Sequence, residues 1–89
     1  MKTIRIRVTG KVQGVFYRKS AKDKAIQLGV KGWVRNEDDG SVIIEASGEP
    51  EQLLRLVEWC ADGPPRAVVT DVKVEDIPFH DYPHFMSER

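Results

Sequence analysis

VKGWVR at residues 30–35, NEDDG at 36–40 and SVIIEAS at 41–47 read as a strand, a tight turn and a returning strand, and this hairpin decides the fold. The Asp39-Gly40 pair suits a short hairpin connection, because both residue types tolerate the backbone such turns demand. Val42, Ile44 and Ala46 recur at every second position, so one face of the returning strand is expected to be buried. Upstream, TIRIRV at residues 3–8 alternates strictly, with Ile4, Ile6 and Val8 on one face, and reads as another strand. Gly10 and Gly14 then bracket a loop, GKVQG. From Tyr17 to Leu28, Tyr17, Ala21, Ala25 and Leu28 recur at spacings of four and three, a helical stripe closed by Gly29 just past its end. Downstream, a second helix opens at Pro50, a favourable first-turn residue, and carries Leu53, Leu56, Val57 and Cys60 inward. It stops near Gly63-Pro64-Pro65. AVVTDVKVE at 67–75 gives a fourth strand, and His84-Phe85-Met86 suggests a short fifth.

The order is βαββαβ. Two helices in this order can cover one face of a four-stranded antiparallel sheet, which is the ferredoxin-like α+β sandwich. The opposite face is expected to present Arg5, Arg7, Ile43 and Glu45 to solvent. Composition is even along the chain, with no linker or repeat, so residues 1–89 are expected to form one domain.

Fourteen basic residues balance fourteen acidic ones, which argues against general affinity for nucleic acid or acidic membranes. A single cysteine, Cys60, excludes an internal disulfide framework and points to a reducing, cytoplasmic setting. The N-terminal residues alternate charged and apolar types, unlike a secretory leader or membrane span. A monomer is the expected state.

The chain path locates the chemistry. A helix of about eleven residues descends roughly 16 Å from the 10–17 loop. The strand that follows climbs roughly 20 Å, which returns Asn36 to the level of that loop. One strand lies between the two, a gap of about 10 Å that a long arginine can bridge. Gln13-Gly14-Val15-Phe16-Tyr17-Arg18 leads straight into a helix, whose first amides lack internal partners and whose dipole favours an anion. Gly14 allows successive amides to converge as an anion nest. Arg18 adds a permanent charge and a planar donor fork matched to phosphate oxygens. A cation at a helix start opposes the dipole, a placement that an anion would relieve. A phosphoryl site follows.

The segments carrying that site resemble the acylphosphatase family. Gly10-Lys11-Val12-Gln13-Gly14-Val15-Phe16-Tyr17-Arg18 is similar to the family's first signature, glycine-x-Val-Gln-Gly-Val-x-aromatic-Arg. Gly32-Trp33-Val34-Arg35-Asn36, followed by Gly40, Val42 and Gly48, is similar to its second. The resemblance spans essentially the whole chain. It implies hydrolysis of acyl phosphates, a small-molecule substrate, without metal or cofactor. It implies that Arg18 binds the phosphate together with backbone amides of Gly14, Val15, Phe16, Tyr17 and Arg18, and that Asn36 positions the attacking water. Glu37 departs from relatives that carry a small hydroxyl residue after the asparagine.

Other polar residues read as structural. His80 and His84 are four apart, but Pro83 between them opposes a helical metal pair, and both read as surface residues. Asp38 and Asp39 read as solvated turn residues. Cys60 reads as an inert core thiol, and Trp33 as packing beside the site. Three rivals arise: a phosphate-binding regulatory module without turnover, an RNA-binding domain of the same βαββαβ order, and an acylphosphatase-like domain of a larger carbamoyl-phosphate-handling maturation protein. RNA-binding domains of this order stack bases on sheet aromatics. Arg5, Arg7, Ile43, Glu45 and Ser47 stand at those positions and supply none. The third lacks support in a chain of 89 residues without cysteine-pair metal motifs.

Overall fold

The computed structural model describes residues 1–88. Its elements run β1 (Lys2–Lys11), α1 (Tyr17–Leu28), β2 (Lys31–Asn36), β3 (Val42–Gly48), α2 (Pro50–Asp62), β4 (Val68–Ile77) and β5 (Phe85–Ser87). The ferredoxin-like α+β order is as expected, and the short fifth strand is present. The sheet has five strands in the order β4-β1-β3-β2-β5. β1 pairs antiparallel with β3 and β4, and β2 antiparallel with β3. β5 lies parallel to β2, so the sheet is mixed rather than wholly antiparallel. A chain leaving β4 at one edge reaches the β2 edge only after crossing the sheet, and it enters there running in the direction of β2.

The core lies between the sheet and the helices. Ile4, Ile6 and Val8 of β1, Val34 of β2, and Val42, Ile44 and Ala46 of β3 face Tyr17, Ala21 and Ala25 of α1 and Leu53, Leu56 and Cys60 of α2. Each fully buried aliphatic side chain of this size contributes roughly 1.5–3 kcal/mol. The two alanines keep α1 close to the sheet. Phe85 is also buried, which anchors β5.

Two expectations need correction. Gly10 does not begin a loop: β1 continues to Lys11 through a register shift between Thr9 and Gly10 against β4. At Gly10, φ is 124°, and a Cβ there would overlap the Val68 carbonyl, so only glycine lets the two strands stay paired through the bulge.

The outer face of the sheet is also not open. Ile43, Ser47, Thr3 and Glu45 are all buried. The segment from Pro78 to His84 crosses this face and is fastened to it. Ser47 Oγ donates to the His80 carbonyl at 2.6 Å, and the His80 amide donates to Thr3 Oγ1 at 2.8 Å. Thr3 and Ser47 hydroxyls meet at 2.6 Å, which closes the chain of donors. Tyr82 Oη donates to Glu45 Oε1 at 2.6 Å, and Arg5 Nε to Glu45 Oε2 at 2.9 Å. Glu45 and Ser47 of the expected solvent face thus serve as attachment points for the strap, and Arg5 holds Glu45 in place.

Burial works against the Glu45 carboxylate, but the bonds from Tyr82 and Arg5 and the charges of Arg5 and Arg35 outweigh it and hold its pKa below the ordinary 4.5. A carboxylate with a depressed folded pKa contributes stability above the unfolded value and loses it as pH falls through the folded one. Glu45→Gln should therefore lower stability at pH 7 by about 1–2 kcal/mol and flatten the loss of stability below about pH 4.5. Urea midpoints between pH 7 and 3 check this; an unchanged acid slope in the variant would count against it.

Candidate active site

The two helices start differently. At α2, Pro50 opens the helix, Glu51 supplies an acidic first turn, and Gln52 Oε1 accepts from the Glu49 amide at 2.9 Å. That terminus is closed. At α1 no side chain caps the start and the first turn holds no acidic residue. Arg18 and Lys19 stand there instead, against the dipole. The capping residue is Phe16, with φ 65° and ψ 21°, a left-handed conformation that costs a non-glycine residue roughly 1–3 kcal/mol. Its ring is 70% exposed, so packing of that side chain does not repay the strain. Gly14 also has positive φ, 72°, with open space where a Cβ would stand. A left-handed Phe16 followed by a helical Tyr17 is the mixed-hand backbone that forms an anion-binding nest. Among the described residues, no hydrogen bond uses the amides from Gly14 to Arg18 as donors.

The loop is held on every side. Val12 and Val15 are buried in the core. Tyr17, the first residue of α1, is buried, donates from Oη to the Cys60 carbonyl at 2.7 Å, and packs on Trp59 with ring centroids 5.2 Å apart. This fixes the start of α1 to α2. On the opposite side, Gln13 Nε2 donates to the carbonyls of Glu37 at 2.8 Å and Ser41 at 2.9 Å. That clamp joins the loop to the β2–β3 turn, at whose entry Asn36 stands.

Asn36 ends β2. Side chains alternate along a strand, so Asn36 shares the helix-facing side with buried Val34. Trp33 and Arg35 take the other face, where the guanidinium of Arg35 lies 4.6 Å from the Trp33 ring centroid. Trp33 therefore does not pack under the site. The Asn36 carboxamide is placed where α1 begins, and an open cleft of about 820 Å³ has Gly14, Phe16, Arg18, Lys22, Asn36 and Ser87 among its walls. The structure thus brings together Gly14, Phe16, Tyr17, Arg18 and Asn36. Val15 differs: its side chain belongs to the core, so only its backbone is available. Asn36 Oδ1 is buried, and no described residue donates to it.

Arg18 Nη1 donates to the Glu88 carbonyl at 2.6 Å, and the Glu88 amide donates to the Val34 carbonyl at 2.7 Å. One of five guanidinium donors is spent on aiming the group, and the others stay available to an anion. Sequence reasoning missed the roles of Gln13 and Glu88. Gln13 lay inside the first signature, a usable signal; the Glu88 carbonyl gave none, because a main-chain acceptor has no residue code.

The remaining polar residues behave as structural groups. The Glu37 carboxylate pairs with Arg35 Nε at 3.0 Å and is not part of the cleft wall. Asp39 stabilises the turn, accepting from the Ser41 amide at 2.9 Å and from Arg7 Nη1 at 3.0 Å. Cys60 is fully buried, and burial pushes its thiol up to about 12, which removes it as a nucleophile. His80 and His84 are exposed.

A family model described as Acylphosphatase matches residues 4–86. An acylphosphatase of Marinobacter nauticus is 58% identical over 71 residues, 80% of this chain and 77% of the relative. One from Coxiella burnetii is 45% identical over 82 residues, 92% of this chain and 86% of the relative. The solved acylphosphatase of Bacillus subtilis superposes with a TM-score of 0.97 at 36% identity over 100% of both chains. An acylphosphatase structure from Coxiella burnetii gives 0.95 at 42% identity, over 98% of this chain and 92% of that one.

Proposed function

The chain belongs to the acylphosphatase family and hydrolyses acyl phosphates, and we propose that Arg18 and the Gly14–Arg18 amides hold the phosphoryl group while Asn36 positions the attacking water. The phosphoryl oxygens take the amides of the nest and the free donors of the Arg18 guanidinium. Water held by Asn36 Oδ1 attacks phosphorus in line with the acyl oxygen. A new P–O bond forms, the bond from phosphorus to the acyl oxygen breaks, and the electron pair leaves with the carboxylate. A phosphate oxygen takes the water's proton. The departing carboxylate is a stable anion, with a parent pKa of about 4 to 5, so no general acid is needed. Positioning and charge neutralisation are then the whole of catalysis, as in other phosphoryl transfers.

The observation that carries this reading is the buried Asn36 Oδ1. A buried acceptor without a donor costs about 1–3 kcal/mol, and such groups cluster where a ligand or water completes them. The buried lone cysteine fits a reducing compartment, and a cytoplasmic monomer is the proposed form. No helix among the described residues is long and apolar enough to cross a membrane.

Incubation with acetyl phosphate in excess chelator tests the reading. Acetyl phosphate should disappear well above its spontaneous rate, with one phosphate and one acetate formed per turnover. Phosphate binding without turnover would instead make the domain a regulatory module.

A further inference from the structure

The cleft is wider than a phosphoryl group requires, and the wall that α1 gives it is basic. Lys22 lines it, four residues after Arg18 and so on the same face of α1, about 6 Å farther along the helix axis. Lys19 also lines the cleft, but its ammonium is paired with Asp23 Oδ2 at 3.1 Å and the side chain is 74% exposed. Lys22 differs on both counts. It is half-buried, and among the described residues no carboxylate lies within 4.0 Å of its ammonium. Arg18 likewise bonds only a neutral carbonyl among them. Like charges at this helical spacing repel, and these two share one cleft wall. A phosphoryl group held at the nest and Arg18 would leave the Lys22 ammonium, one helical turn farther along, without a direct partner.

We propose that Lys22 is a specificity residue that binds a second anionic group on the acyl side of the substrate. The favoured substrates are then monoacyl phosphates of short dicarboxylic acids, whose free carboxylate lies one helical turn from the phosphoryl group. The exposed Phe16 ring at the cleft wall offers an apolar surface to the methylene carbons between the two anions. This rests on the phosphoryl position assigned to Arg18.

Kinetics with succinyl phosphate and acetyl phosphate, which differ by that carboxylate, separate the two readings. The wild-type protein should show a KM about five- to tenfold lower for succinyl phosphate, a preference that 0.5 M sodium chloride collapses by screening. Lys22→Gln should raise the KM for succinyl phosphate by the same factor, with a smaller rise of about twofold for acetyl phosphate. Lys22→Arg should restore the preference, and thermal melting confirms that both variants fold. Equal KM values for the two substrates in the wild type, or an equal rise for both in Lys22→Gln, would overturn the role of Lys22 while leaving the phosphoryl site intact. Absence of turnover with either substrate would overturn the phosphoryl reading and this one with it.

Discussion

Asn36→Ala is expected to lower kcat by about 100- to 1,000-fold, the usual cost of losing one preorganised polar group that acts on the transition state, while KM changes by no more than about threefold. The split follows from the location of the carboxamide. Asn36 belongs to β2 rather than to the nest, and in the proposed mechanism its unpartnered oxygen holds the water and not the phosphoryl group. Loss of that acceptor leaves the phosphoryl contacts in place, so substrate still binds. Only the alignment of water and phosphorus is lost, and alignment is an interaction realised in the transition state. Stability should not fall, because alanine also removes an unsatisfied buried acceptor. Steady-state kinetics with acetyl phosphate, paired with a urea melt, read both effects. A variant that keeps its kcat but loses affinity would reassign Asn36 to binding.

Arg18→Ala is expected to fall further, by about 1,000-fold or more in kcat/KM, and chiefly through KM. In the proposed mechanism the guanidinium carries the charge that neutralises the phosphoryl oxygens, and the amides of the nest supply only partial charges. Arg18→Lys should recover about tenfold at most. An ammonium restores charge but cannot present a planar fork, nor can it reach the Glu88 carbonyl and a phosphate in one fixed geometry. Inorganic phosphate should inhibit the wild type competitively and inhibit Arg18→Ala far more weakly. Equal inhibition of both would place the anion elsewhere.

The parts of the fold that were legible in the sequence are those set by local periodicity. TIRIRV alternates because one side of β1 meets the helices, and the Tyr17–Ala21–Ala25 stripe is visible because α1 buries a narrow face. The candidate site was legible for a similar reason. A helix start without an acidic first turn, preceded by Gly14 and carrying Arg18, conflicts with the dipole in a way that a bound anion resolves. What stayed hidden depends on partners distant in sequence. The bulge at Gly10 is fixed by β4, some sixty residues later. The strap from Pro78 to His84 has no period, and its contacts to Ser47, Glu45 and Thr3 bridge 33, 37 and 77 residues of chain. An outer face that reads as polar and exposed is covered because its polar groups bond that strap. Lys22 reads as one more surface lysine on a charged helix; both it and Lys19 line the cleft, and only the pairing of Lys19 with Asp23 and its greater exposure distinguish them.

The most direct measurement is a crystal structure of the wild-type protein soaked with inorganic phosphate. The anion should sit against the amides of Gly14 to Arg18, with the Arg18 guanidinium on one side and a water bridging Asn36 Oδ1 to it. Phosphate bound outside this cleft, or Arg18 and Asn36 facing away from the anion, would contradict the account.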